Sequence, residues 1–190
     1  TAKIVFDVLS SGYNVFCEKP MAATYDQANK LVSLANEKNL IFQVGMMRRF
    51  DAASIKGKKL LDQYTNDADI FGKLVYVRIH AFDSNPYCNE SNYIRPNNGD
   101  FTYPTPVWDS CPKWVPSNFR KDYEFFLNVY CHNINMMRFF IDEKPSNIGY
   151  VNLKNNMCRL ISFEYENFNV NIEAGRSNSK KRDEFIEFYF

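Results

Sequence analysis

Lys19, His132 and the pair Arg48-Arg49 are the side chains whose type and placement suit them to move a proton or hold an oxyanion at a defined point. Lys19 stands in Glu18-Lys19-Pro20, directly after the apolar run Val15-Phe16-Cys17. Open α/β sheets bind ligands at the carboxyl ends of their strands, and an ammonium there can position a hydroxyl and stabilise a developing negative charge. Pro20 restricts Lys19 to extended backbone, so the ammonium is carried by a segment that cannot slide into the next helix. His132 is one of two histidines in the chain. Asn128 precedes it by one helical turn and shares its face, and imidazole is the ordinary general base near neutrality. Arg48 and Arg49 fall where a strand gives way to a helix, a place to meet phosphate or substrate. Each has a plainer alternative: a surface lysine at a turn, a satisfied core histidine, two solvent-facing arginines. His80, inside a β-rich segment, reads as structural, and the doublets Met46-Met47 and Met136-Met137 read as core filler. Trp108 and Trp114 lie in an irregular stretch, which they are expected to pin rather than to offer to a ligand.

The elements that must position these groups follow from the apolar pattern. Ala2 to Ser11 places Ile4, Val5, Val8 and Leu9 on one helical face, and Gly12 is the residue expected just past a helix end. Val15-Phe16-Cys17 suits a buried parallel strand. Thr24 caps a second amphipathic helix through Ala28, Leu31, Val32, Leu34 and Ala35, and Leu40 to Val44 is again strand. Residues 1 to about 62 therefore alternate helix and strand as in a parallel sheet covered by helices. After Phe71-Gly72-Lys73 the pattern changes. Leu74 to His80 is β-rich, and the following forty or so residues show no period, as a long binding or lid loop would. A helix is expected from about Tyr123 to Ile141. Strands follow: Ile161, Phe163 and Tyr165 share one face, and Phe168, Val170 and Ile172 share another across the turn at Glu166-Asn167. Both ends read as cut, the last strand being the aromatic run Phe185 to Phe190.

Composition narrows the classes of partner. With 190 residues, 45% of them hydrophobic, the chain can bury a sizeable core. Its net charge of +1 supplies no field to recruit nucleic acid or an anionic membrane. Five cysteines, odd in number and without a CxxC pair, argue against a disulfide framework and a zinc site, so a reducing cytoplasm is the expected compartment. No apolar run approaches the roughly 20 residues of a membrane span.

Three blocks occur in order: Gly12-Tyr13-Asn14-Val15-Phe16-Cys17-Glu18-Lys19-Pro20-Met21-Ala22, Val44-Gly45-Met46-Met47-Arg48-Arg49-Phe50-Asp51 and Gly72-Lys73-Leu74-Val75-Tyr76-Val77-Arg78. Together with His132 they resemble the glucose-fructose oxidoreductase / inositol dehydrogenase (Gfo/Idh/MocA) family of NAD(P)-dependent oxidoreductases. The resemblance is close over residues 1 to about 80, looser over 123 to 175 and poor between. It implies an α/β chain: the C-terminal half of a doubly wound Rossmann domain (residues 1–70), followed by an α+β substrate and oligomerisation domain with an open, mainly antiparallel sheet (residues 71–190). It implies Lys19 and His132 as catalytic residues, Asn128 and Arg49 as substrate-binding, and Glu18, Lys19, Pro20 and Arg48 as cofactor-binding. The cofactor would be NAD or NADP, the substrate a sugar or polyol, and the assembly a homo-oligomer formed through the C-terminal sheet.

Two departures from the family pattern stand out. The family's helix carries Asp where this chain has Asn128, which can hydrogen-bond a hydroxyl but cannot hold an imidazolium by charge. The seven glycines form no GxGxxG, so the main pyrophosphate cradle is expected upstream of Thr1 and the 190-residue piece alone is expected to be inactive. A cofactor-sensing protein without catalysis and an NAD-dependent glycosidase remain the alternative readings.

Overall fold

The computed structural model describes residues 1–83, 108–152, 158–177 and 183–190. By its contacts the chain forms two compact units. One groups Thr1–Arg48 with the segment that ends at His132, and the other groups the residues from Arg49 with Asn133–Phe190. This grouping cuts the chain differently from the boundary expected near residue 70, because the helix at Ala52–Asn66 belongs with the second unit.

In the first unit α1 (Ala2–Ser10) leads into β1 (Val15–Cys17), α2 (Tyr25–Glu37) and β2 (Phe42–Val44). β1 and β2 pair in parallel, Val15 opposite Phe42 and Cys17 opposite Val44. Gly12 leaves α1 at φ +85°, the left-handed turn that lets the chain reverse into β1. Thr24 accepts from the Gln27 backbone N–H while the Gln27 side chain accepts from Ala23, a capping box shifted by one residue. Ala2, Val5 and Leu9 from α1 meet Leu31 and Ala35 from α2 and Cys17 from β1 in one buried cluster. Both helices thus cover the face bearing Val15, Cys17, Phe42 and Val44. The other face carries Phe16, which is 69% exposed, so β1 is not the fully buried strand that its apolar run suggests. Trp108 closes this unit's core against Phe6, ring centroids 5.5 Å apart, with the Lys30 ammonium 4.6 Å from the Phe6 ring. Trp108 therefore pins its segment, whereas Trp114 is 78% exposed and does not.

The second unit holds α3 (Ala52–Asn66), α4 (Ala68–Phe71), β3 (Tyr76–Asp83), β4 (Asn147–Asn152), β5 (Cys158–Glu164), β6 (Asn169–Arg176) and β7 (Asp183–Tyr189). α5 (Arg120–Phe140) contributes residues up to His132 to the first unit and those from Asn133 to the second. Asp51 caps α3 by accepting from Ala53 and Ser54. The sheet order is β4-β5-β6-β3-β7, with β3 and β6 parallel and the other pairings antiparallel. Ile161 pairs with Ile172 and Phe163 with Val170, so the two apolar sets read on separate strands form one buried face with Val77, Ile79 and Ala174. Tyr165 and Phe168 stack across the turn at 4.7 Å. Met136 and Met137 are buried as core filler, but Met47 is 69% exposed and is not. On the opposite sheet face His80 stacks on Phe185 at 4.6 Å and stands 3.3 Å from Glu173, which Arg78 also grips. Most of the irregular stretch expected between Phe82 and Arg120 lies outside the described residues. Among those described, no helix is long and apolar enough to cross a membrane.

Candidate active site

The carboxyl ends of β1 and β2 lie side by side. The Gly45 N–H donates to the Cys17 carbonyl at 2.8 Å, continuing the parallel ladder past both strands. The segments that follow, Glu18-Lys19-Pro20 and Met46-Met47-Arg48, leave the sheet from neighbouring points at one edge. A side chain at position 45 would meet the Phe16 ring at 3.3 Å, which accounts for glycine where the two segments part. The Lys19–Pro20 peptide is cis.

Lys19 does not stand alone in solvent. Its Nζ donates to the Asn128 side-chain oxygen at 2.7 Å and to the Asn128 carbonyl oxygen at 2.8 Å. Two residues 109 apart in sequence are joined here, the first at a strand end and the second on α5. The amide orientation of Asn128 follows, because an ammonium can only donate, so the oxygen faces Lys19 and the NH2 faces away. His132 lies one turn further along α5 and is half-buried. Cys131 sits between them, its Sγ 3.4 Å from the Asn128 carbonyl oxygen. Burial pushes the Cys131 thiol up, while the positive charges of Lys19 and Arg48 oppose that rise. The thiol thus registers two cations beside it.

Lys19, Asn128, Cys131 and the charge of Arg48 come together, with His132 on the same helix. Glu18 is exposed, and its charge adds to burial in raising the Cys17 thiol. Arg49 belongs to the second unit, where Nε donates to the Asn135 side chain at 2.7 Å and the guanidinium lies 5.6 Å from the Phe139 ring. Cys131 and Asn135 were missed from sequence. The available signal was spacing, since both lie within one turn of His132 on α5.

The parallel strands with their covering helices and the edge at their carboxyl ends define a Rossmann-type α/β scaffold. Residues 2–46 match the model of the Gfo/Idh/MocA oxidoreductase family, NAD-binding Rossmann fold. The inositol 2-dehydrogenase/D-chiro-inositol 3-dehydrogenase of Shouchella clausii is 34% identical over 82 residues, 42% of this chain and 23% of that protein. The 2,7-anhydro-N-acetylneuraminate hydratase of Mediterraneibacter gnavus is 35% identical over 72 residues, 38% of this chain and 18% of that protein. Among solved structures, scyllo-inositol dehydrogenase from Lactobacillus casei with bound NAD(H) and scyllo-inositol superimposes with a TM-score of 0.68 at 18% identity, covering 99% of this chain and 51% of that one. The chain is thus similar to Gfo/Idh/MocA oxidoreductases over part of its length, and it spans about half the length of this solved relative and 23% and 18% of the two curated ones.

Proposed function

We propose that the chain is part of an NAD(P)-dependent dehydrogenase that oxidises a hydroxyl of a sugar, sugar derivative or polyol. The observation that carries this reading is the Lys19–Asn128 hydrogen-bond pair at the carboxyl end of β1, one helical turn from His132. In this reading His132 takes the hydroxyl proton. Lys19 orients the same hydroxyl and stabilises the negative charge that develops on its oxygen. Asn128 anchors the ammonium and keeps it from turning into solvent, and Arg49 contributes to substrate binding. When bound, a nicotinamide accepts the hydride from the carbinol carbon, so the alcohol becomes a ketone.

The residues present fit the nicotinamide end of such a cofactor. The edge formed by Glu18, Lys19, Pro20 and Arg48 is polar and cationic, and Gly45 lets backbone approach closely. The chain contains no GxGxxG, the glycine pattern with which a dinucleotide fold cradles pyrophosphate. Relatives named as inositol dehydrogenases support a polyol or sugar substrate. Self-association through the sheet face bearing His80 and Phe185, and residence in the cytoplasm, complete the proposal.

The test is the full-length protein assayed for reduction of NAD+ and NADP+ over a panel of sugars and polyols. Turnover that Lys19→Met and His132→Ala both abolish supports the reading. A second reading, a cofactor-binding sensor without catalysis, is favoured by one observation, the neutral Asn128 where the family has a carboxylate. Saturable cofactor and sugar binding with no turnover, in the wild type and in Asn128→Asp alike, would establish it instead.

A further inference from the structure

The hydrogen-bonding capacity of the Lys19–Asn128 pair says more than that the site binds a hydroxyl. An ammonium has three N–H donors, and Lys19 commits two of them to Asn128. The Asn128 side-chain oxygen is taken up by that contact, while its NH2 makes no hydrogen bond among the described residues and the residue is exposed. Lys19 likewise forms no ion pair with any described carboxylate. The pair therefore presents donors and no free acceptor, around a positive charge that, among the described residues, neutral oxygens alone compensate.

The reacting hydroxyl can give its proton to His132, but a second hydroxyl that accepts from this pair finds no acceptor within the pair for its own proton. A carboxylate has no proton to place, accepts from several donors at once, and brings the missing negative charge. An aspartate at position 128 would have reversed the balance, supplying both the charge and the acceptor itself. Arg48 adds a second positive charge near Cys131, at the adjoining turn, where both cations oppose the rise that burial imposes on the thiol.

Resting on the dehydrogenase reading above, we propose that the substrate is anionic, a sugar acid whose carboxylate accepts from the Asn128 NH2 and lies within the field of the Lys19 charge, while the third Lys19 N–H is kept for the reacting hydroxyl on a neighbouring carbon. Asn128 is then the residue that selects acid over neutral polyol.

The experiment measures binding by titration calorimetry and kcat/KM with NAD+ and NADP+ on the full-length protein. Three acid and neutral pairs serve as probes: D-gluconate with D-glucitol, D-galactonate with D-galactitol, and D-glucuronate with D-glucose. In at least one pair the acid should lead by about tenfold or more, the worth of one charge-assisted hydrogen bond. Asn128→Asp should remove that lead, lowering the acid-to-neutral ratio of kcat/KM in the same pair at least about tenfold. Asn128→Leu, which removes the amide without adding charge, should weaken the acid by a smaller factor and guards against misfolding as the cause. If the neutral member leads or ties in all three pairs while the cofactor is reduced, the anionic-substrate inference is wrong and the dehydrogenase reading stands. If acids bind with the expected preference and no pair gives turnover, the carboxylate site stands and the oxidation assigned to it falls.

Discussion

Replacing Lys19 by Met separates a catalytic ammonium from a structural one. The side chain makes two hydrogen bonds, both to Asn128 and both at a solvent-accessible edge. Hydrogen bonds involving a charged group contribute about 1.5–3 kcal/mol when fully buried, and less where water can replace the lost partner. Asn128 is exposed, so neither of its oxygens is stranded by the substitution, and methionine relieves the cost of desolvating the ammonium. The net change in folding free energy should stay within about 1 kcal/mol. For a chain of this size that corresponds to about 2–4 °C in Tm. The loss to catalysis is of another order, because removing one preorganised donor from a developing oxyanion costs about 2.7–4 kcal/mol, or 10²–10³ in kcat. The assay pairs steady-state kinetics on the full-length protein with calorimetric melting of the same preparations. Lys19→Arg, which keeps the charge but not the point geometry, should recover only a small part of the rate. A Lys19→Met protein that keeps kcat within threefold, or one that loses rate only in step with a Tm drop beyond 10 °C, would refute the assignment.

His132→Ala should lower kcat by about 10²–10⁴ and remove the acid limb of the pH–rate profile, which Lys19→Met should leave in place. Glu173 is held below the ordinary carboxylate range, burial opposing the shift but the Arg78 hydrogen bond and charge, with the nearby His80, outweighing it. A depressed folded-state pKa gives stability that is present above the unfolded value and lost as pH falls through the folded one. Wild type should therefore lose Tm below about pH 4.3 more steeply than Glu173→Gln, with the difference at neutral pH limited to about 1 kcal/mol by the pair's exposure. Leu31→Ala, at a fully buried position in the first unit, should cost about 2–5 kcal/mol, read as a large fall in denaturation midpoint. NADH fluorescence titration of the 190-residue chain should show only weak binding, since the sequence supplies no glycine-rich pyrophosphate loop; tight saturation would show that the edge at Lys19 and Arg48 suffices.

Much of the fold was legible because its signals are local. Thr24 and Gln27 announce a helix start through side chains that serve only their own turn, and Gly12 announces a helix end through the one backbone region that other residues avoid. The alternation of Ile161, Phe163 and Tyr165 predicts a half-buried strand, and all three are buried. What escaped depends on partners distant in sequence. Nothing in Val15-Phe16-Cys17 distinguishes a strand covered on both faces from one covered on a single face, so the exposure of Phe16 was out of reach. The same holds for Met46-Met47 against Met136-Met137, equal in composition, of which the second pair is buried while Met47 is exposed and Met46 only partly buried. No local pattern shows that α3 groups with the sheet, since that follows from Gly57 lying against Phe140, 83 residues later, close enough for an added methyl to touch the ring at 3.4 Å.

The site divides along the same line. That Lys19 follows a strand and that Asn128 and His132 share a helical face could be read from spacing, but that Lys19 holds Asn128 through both of its oxygens is a long-range fact. It changes the meaning of the sequence departure. Read alone, Asn in place of Asp looks like a base that has lost its orienting charge. Placed against Lys19, the same residue completes the anchoring of an ammonium and leaves its positive charge uncompensated by any described carboxylate. The missing charge can reside in the molecule the site receives, so the same substitution that argues for lost catalysis is also what a dehydrogenase for acidic sugars would require.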